Sequence, residues 1–355
     1  MHWCVNAIPY SRIARMTATL IGKTWRLDAS TSDGMEIGTV EQERLQNSHS
    51  FWLGHISRGT DWPHLRRYER RPFRLAWDSA TAYSATAERF HIRSQKYVQA
   101  LRASTGQEPY DAAGTLNAAY WADCATEYAG TTWTSTTALT TVGTIYYYPV
   151  DGQSYALHTA APTGTAPTNT SYFGLLTPFN PYVPATLTGY TTIGEFLRLT
   201  ERDPRVSQKP GDLLYTLSNE GAQVKAPITQ PWVTYRIVIP QLIGAVWDSD
   251  TTYTGGQVYF QSTSNGVTEG DFYDWIDAAA GESPATHPTK WSKVEIPVIF
   301  GPYLAHQAAA DWWIAQKDTE RAALNTAAAQ RIYEYEVDNL NRQQQQLGRS
   351  RLVLN

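Results

Sequence analysis

A tryptophan-led heptapeptide occurs twice in this chain, at matching distances from a second tryptophan. Trp77-Asp-Ser-Ala-Thr-Ala-Tyr83 recurs as Trp247-Asp-Ser-Asp-Thr-Thr-Tyr253, and a further tryptophan follows 44 residues later in both copies (121 − 77 and 291 − 247). A weaker copy, Trp133-Thr-Ser-Thr-Thr-Ala-Leu139, lies between them. Each copy runs through a turn-like stretch into an aromatic, strand-forming segment: 87–98, 142–148 and 255–260. A spacing kept across a variable loop marks a shared module, here a small sheet of about three short strands. A unit of about 50 residues buries too little to be secure alone, so paired tryptophans clamping the core are expected. Trp77, Tyr83, Trp121, Trp133, Trp247, Tyr253, Tyr259 and Trp291 are therefore candidates for module cores or for an exposed glycan-stacking face. Truncating Trp247 to alanine would cost about 3–5 kcal/mol if it were buried.

Charge is distributed unevenly. From Ala129 to Gly194 the only formally charged side chain is Asp151, in a background of Thr, Tyr, Ala, Pro and Gly that favours short strands. From Tyr303 to Leu347 there is neither glycine nor proline, and Ala, Gln, Glu and Arg dominate, which predicts helix. Thr17-Ala-Thr-Leu-Ile and Phe51-Trp-Leu-Gly-His-Ile read as strands, Glu195-Phe-Leu-Arg-Leu-Thr-Glu-Arg as a short helix, and Trp232 to Ile239 as a strand. Residues before Met16 read as a mobile arm or as the product of an upstream start site. The fold expected is multi-domain α+β, β-rich modules followed by a helical C-terminus. Its segments are a β-rich N-terminal part (1–75), module one (76–128), neutral module two (129–193), a mixed connection (194–245), module three (246–300) and C-terminal helices with a tail (301–355).

With 17% charged residues, 13 tryptophans and 22 tyrosines in 355 residues, disorder is disfavoured. A formal charge of −4 exerts no global pull on nucleic acid, and two cysteines, Cys4 and Cys124, make no disulfide framework. No apolar run approaches the roughly 18 residues of a membrane span, and the N-terminus lacks a signal-peptide pattern.

The unit built from Trp247, Tyr253, Gly255, Gly256, Val258, Tyr259, Pro288 and Trp291 resembles the small chitin-binding-like modules that decorate many tailed-phage virion proteins. The first copy lacks the glycines at Ala85-Thr-Ala87 but keeps Tyr97, Pro109 and Trp121; the middle copy lacks the closing tryptophan. The C-terminal part, from Trp312-Trp313 through the alanine-rich stretch to Tyr335 and the glutamine run ending at Gly348-Arg349, resembles the end of phage neck proteins. Together these resemblances imply a virion structural protein: a head-to-tail adaptor in a homo-oligomeric, dodecameric ring beneath the portal, contacting portal and tail or neck proteins. Its location would be the virion neck, after synthesis in the bacterial cytoplasm. A glycan-binding receptor-recognition or fibre-associated protein is the second reading, and a carbohydrate-active enzyme with accessory modules the third.

Signatures of catalysis are missing. No His-Glu-x-x-His, Cys-x-x-Cys, Walker loop or Gly-x-Ser-x-Gly is present, so neither catalytic residues, cofactor nor metal is expected. Asp248-Ser-Asp250 lacks the further ligands of a calcium loop and reads as an aspartate capping its own turn. Glu269 and Asp274 are the carboxylate pair a glycosidase reading would need. The one basic run supplies Arg66, Arg67, Arg70 and Arg71, candidates for contact with DNA or an acidic surface. Leu324, Ala328, Ile332 and Tyr335 fall at steps of four, four and three, a helical stripe that Leu340 extends. That stripe is expected to pack within the ring, with Gly348 stopping the helix. Arg349, Arg351, Leu352, Val353 and Leu354 are expected to dock on a portal subunit.

Overall fold

Alternating Tyr, Val and Thr with frequent Gly and Pro produces short antiparallel strands, and alanine-rich sequence produces helices, so the chain is α+β. A computed structural model describes residues 7–23, 39–264 and 267–352. Two compact units are formed, one from 66–238 and one from 1–65 together with 239–355.

The continuous unit holds fifteen short strands among its described residues. The first six are β1 (Arg66–Arg70), β2 (Ala82–Tyr83), β3 (Glu88–His91), β4 (Lys96–Ala100), β5 (Ser104–Thr105) and β6 (Trp121–Asp123). Next come β7 (Thr131–Thr132), β8 (Ile145–Tyr148), β9 (Gln153–Leu157) and β10 (Phe173–Leu176). The last are β11 (Tyr182–Pro184), β12 (Ile193–Thr200), β13 (Tyr215–Leu217), β14 (Gly221–Val224) and β15 (Trp232–Ile237). Module one is the sheet β3-β4-β6 with the β2-β5 pair; module two is β10-β9-β8-β7. The sheets β1-β15-β12 and β11-β14-β13 share a core that includes Val183, Leu199, Ala222, Val233 and Tyr235.

Modules one and two pack side by side through Leu101, Ala122, Ala156 and Leu176. Buried Gln99 joins them through both ends of its side-chain amide: its nitrogen donates to the Leu175 carbonyl at 2.7 Å, and its oxygen accepts from the Thr177 amide at 3.1 Å. The approach is so close that a Cβ on Gly174 would lie 2.5 Å from the Leu101 carbonyl oxygen, leaving room for glycine alone.

The second unit contains α1 (Tyr10–Leu20), α2 (Thr39–Gly59), α3 (Gly301–Ala315) and α4 (Thr319–Leu352). Its sheet is β16 (Ala245–Val246), β17 (Gln257–Ser264), β18 (Val267–Trp275) and β19 (Trp291–Lys293), which is module three. Helix α3 is central, and α1, α2 and α4 pack on it. Its alanines 305, 308, 309 and 310 are buried, and their small size permits approach from several sides. Asp311 ties α2 to α3, accepting from Ser48 Oγ at 2.6 Å and Trp52 Nε1 at 2.8 Å. The break between α3 and α4 uses neither glycine nor proline. Lys317 takes φ 62° and Asp318 caps α4 by accepting from the Arg321 amide at 3.0 Å.

Four expectations are corrected. Thr17–Ile21 and Phe51–Ile56 belong to helices or their caps, because Ile13, Ala14, Thr17, Ala18 and Ile21, and then Leu45, His49, Leu53 and Ile56, make helical stripes that bury together. Of the segment before Met16, residues 10–15 are no arm, since Tyr10, Ile13 and Ala14 are fully buried; residues 1–6 lie outside the described residues. The Glu195 segment is strand β12, whose register shifts between Phe196 and Arg198 place Phe196 and Leu199 on one side of the sheet and so mimic a helical step of three. Helix α4 also passes through Gly348 to Leu352, so that glycine is not its stop.

Candidate interaction surfaces

The three copies share one construction. The residue before each opening tryptophan bridges in parallel to a core strand: Ala76 to Phe90, Thr132 to Tyr147, Val246 to Tyr259. The tryptophan amide then donates to that strand residue's carbonyl, Trp77 to Phe90 at 2.9 Å, Trp133 to Tyr147 at 2.9 Å and Trp247 to Tyr259 at 2.8 Å. In copies one and three the next residue is an aspartate that organises its own turn. Asp78 accepts from Thr81 Oγ1 at 3.1 Å and Asp248 from Thr251 Oγ1 at 2.9 Å. The tyrosine six residues after the tryptophan reaches back to the same turn, Tyr83 and Tyr253 accepting the Asp78 and Asp248 amides at 2.7 and 2.8 Å. The Asp248 carboxylate is thus engaged by its own turn.

The tyrosine also meets the closing tryptophan edge-on. Tyr83 and Trp121 have ring centres 5.5 Å apart, and Tyr253 and Trp291 5.6 Å. Trp121 and Trp291 are buried, whereas Trp77, Trp133 and Trp247 are half-buried. Only the closing tryptophan is therefore wholly interior; the clamp is asymmetric. Tyr83 and Tyr259 are buried and Tyr253 half-buried.

Module two solves the same packing with different residues. Leu139 occupies the tyrosine position, and Phe173, first residue of β10, pairs with Leu157 as Trp121 pairs with Ala100. Phenylalanine has no N–H to place. In copies one and three the closing indole N–H donates to the Gln107 and Glu282 carbonyls, both at 2.9 Å. In copy two the opening Trp133 instead donates to the Thr165 carbonyl at 3.1 Å. Each loop thus presents one carbonyl to an indole, and which tryptophan answers depends on the copy. Sequence spacing alone missed Phe173 because the signal sought was a second tryptophan. Trp77 Nε1 has no hydrogen-bond partner among the described residues.

The basic run divides between two faces of the sheet. Arg66 and Arg70 stand opposite Arg236 and Trp232 on β15, while Arg67 stands opposite Tyr235. Arg71, expected on the surface, is a correction: its side chain is fully buried, bonded to Glu69 at 2.8 Å and to the Thr191 carbonyl, with its guanidinium 4.9 Å from the Tyr235 ring centre. It has no surface to offer a partner. The Glu269 and Asp274 pair lies on one strand at an odd separation, which points the two side chains to opposite faces. Glu269 accepts from Arg12 and Asp274 from Gln257.

On α4 the packed face is formed by Ala322, Ala329 and Leu340, with Tyr333 bonded to the Gly59 carbonyl at 3.0 Å. The expected stripe is offset from it. Leu324 is 66% and Tyr335 65% exposed, Ala328 and Ile332 are half-buried, and Leu340 alone is interior. A step of two residues, from Ala322 to Leu324, turns about 200° around a helix, which sets the stripe on the other side. Val353 and Leu354 lie outside the described residues, as does Cys4; of Arg349, Arg351 and Leu352 only the helical backbone is described. No described helix is long and apolar enough to cross a membrane.

One polar cluster holds the helical unit together. His49 is fully buried between Tyr10 Oη, 3.0 Å from Nδ1, and Thr17 Oγ1, 2.9 Å from Nε2. Burial pushes its pKa down to about 3, so it is neutral at pH 7. The Tyr10 amide donates to Asp271 at 2.9 Å, joining α1 to β18.

No family model, curated protein or solved structure matches this chain.

Proposed function

We propose that the chain is a structural subunit of a phage virion, a head-to-tail adaptor that closes into a ring beneath the portal. One observation carries this reading. Helix α4 runs 34 residues, packs through one face and leaves Leu324 and Tyr335 exposed on another. A closed ring needs two different complementary faces on each subunit, and an apolar helical stripe is suited to one of them. The likeness of the C-terminal part to phage neck proteins supplies the setting, the portal and tail proteins as neighbours and twelve as the ring order. The work is done by surfaces, without a reaction centre.

Light scattering coupled to size exclusion, with negative-stain microscopy, tests it. The chain, alone or with purified portal, should form closed rings, and the double substitution Leu324→Glu with Tyr335→Glu should return them to monomers without loss of helix. Monomers under both conditions would sink the reading.

A second reading has its own support. Trp77, Trp133 and Trp247 are half-exposed at three equivalent positions, as glycan-stacking residues would be. Retention on a polysaccharide column that is lost when all three are changed to alanine would favour it.

A further inference from the structure

The seam between modules one and two holds a cavity of about 350 Å³, within the size range of small-molecule sites. Module two meets module one where Gly174 lies against the Leu101 backbone, and again where a Cβ on Gly143 would stand 3.1 Å from that of Ala118. The cavity is lined from both contacts, by Leu101 and Ala118 of module one and by Gly143, Ile145 and Ala156 of module two. Its deepest lining is apolar, since Leu101, Trp121, Ala122 and Ala156 are buried. Tyr128 is half-buried and Glu127 exposed, so these two stand at the rim.

The charged groups of the lining come from one stretch of chain, the end of β6 and the loop after it. The Asp123 carboxylate is already engaged: Tyr110 Oη donates to one oxygen, and Lys96 Nζ to the other at 3.2 Å. The Tyr128 hydroxyl accepts from the Ala125 amide at 3.3 Å. The Glu127 carboxylate makes no hydrogen bond or ion pair among the described residues. No lysine, arginine or histidine lines the cavity.

We propose that this cavity binds a small amphipathic primary amine, with its aromatic or branched apolar body inside and its ammonium group at Glu127. Such a body covers apolar surface at Leu101, Ala122 and Ala156, and the Tyr128 ring at the rim suits both an aromatic neighbour and a cation. An anion would meet two carboxylates and no basic lining residue. A neutral molecule of the same shape would gain the apolar contact and leave Glu127 without a partner. An exposed ammonium–carboxylate pair is worth little, so apolar fit sets the affinity and charge sets the preference. The inference is independent of ring formation.

Saturation-transfer difference NMR with the full chain tests it, using phenethylamine, its neutral analogue phenethyl alcohol and the anion hydrocinnamate. The amine should bind saturably with a dissociation constant of about 1 mM. It should bind about threefold more tightly than the alcohol, and the anion should bind most weakly. Glu127→Gln should bring the amine to the alcohol's affinity and leave the alcohol's unchanged. Ala156→Leu places a larger side chain in the cavity and should remove binding of both. Circular dichroism checks that variant's fold; if it does not fold, Glu127→Gln decides. Three results would each overturn the proposal: no saturable amine binding below about 10 mM, equal affinity for amine and anion, or an amine preference that survives Glu127→Gln. Unchanged binding by a folded Ala156→Leu variant would overturn it as well.

Discussion

The ring of Tyr253 stands edge-on to the indole of Trp291, centres 5.6 Å apart and planes at 75°. The same tyrosine accepts the amide of Asp248, so one side chain joins the opening turn of module three to its closing strand. Trp291 is 3% exposed and Trp247 half-buried, which ranks their contributions. Trp291→Ala should cost about 3–5 kcal/mol. Trp247→Ala should cost clearly less, about 1–3 kcal/mol. Urea denaturation of the two variants measures the order; equal losses would refute the asymmetric clamp.

Tyr253→Phe and Tyr83→Phe should each lower stability by about 1 kcal/mol, since each removes the acceptor of an aspartate amide while keeping the ring contact. The two variants should behave alike if the copies are built alike. Chemical denaturation of both, side by side, provides the comparison.

A left-handed backbone residue follows the turn in every copy: Thr86 at φ 68°, Gly143 at 91° and Gly256 at 87°. Thr86 and Gly143 donate to the equivalent Ala100 and Leu157 carbonyls, so copy one places a β-branched residue where copy two has glycine; Gly256 lies one position further on, its carbonyl accepting from Trp275 as that of Ala87 does from Ala100. Thr86→Gly should stabilise the protein by about 0.5–1 kcal/mol, the relief of strain less the entropy of glycine. Gly256→Ala should destabilise it by about 1 kcal/mol. Thermal unfolding midpoints moving in the same direction for both would contradict the shared geometry.

Stability should fall in acid because of His49. Its folded pKa of about 3 lies below the unfolded value of 6.5, so below pH 6.5 the unfolded state takes up a proton that the folded state refuses. The loss attributable to this group approaches about 1.4 kcal/mol per pH unit between those values and is absent above pH 6.5. Comparison of stability at several pH values with that of His49→Gln isolates it; an unchanged slope in the variant would exclude His49 as the source.

Much was legible from local sequence. The repeated heptapeptide located two copies of a common module because its aspartate, threonine and tyrosine bond to one another within seven residues. The glycine-free composition of 303–347 announced helix because propensity acts residue by residue. Tertiary packing decided the rest. Whether 17–21 and 51–56 lay in strands or helices depended on the stripes that Thr17, Leu53 and Ile56 complete in helices packed on α3. Phe173 took the place of a tryptophan because the position requires an aromatic volume, and the orphaned loop carbonyl could find another indole. Arg71 looked identical to Arg70 in sequence, yet Arg70 ends β1 facing outward while Arg71, one residue past the strand, turns in among Glu69, Tyr190 and Tyr235. Leu324, Ala328, Ile332 and Tyr335 have helical spacing in the sequence, but which face of a helix is buried depends on where its neighbours stand. The main neighbour, α3, packs on α4, whose buried side is Ala322–Ala329–Leu340, where alanines allow close contact. Short-range bonding writes itself into adjacent residues; the choice of which surface meets which is made by chain segments far apart in the sequence.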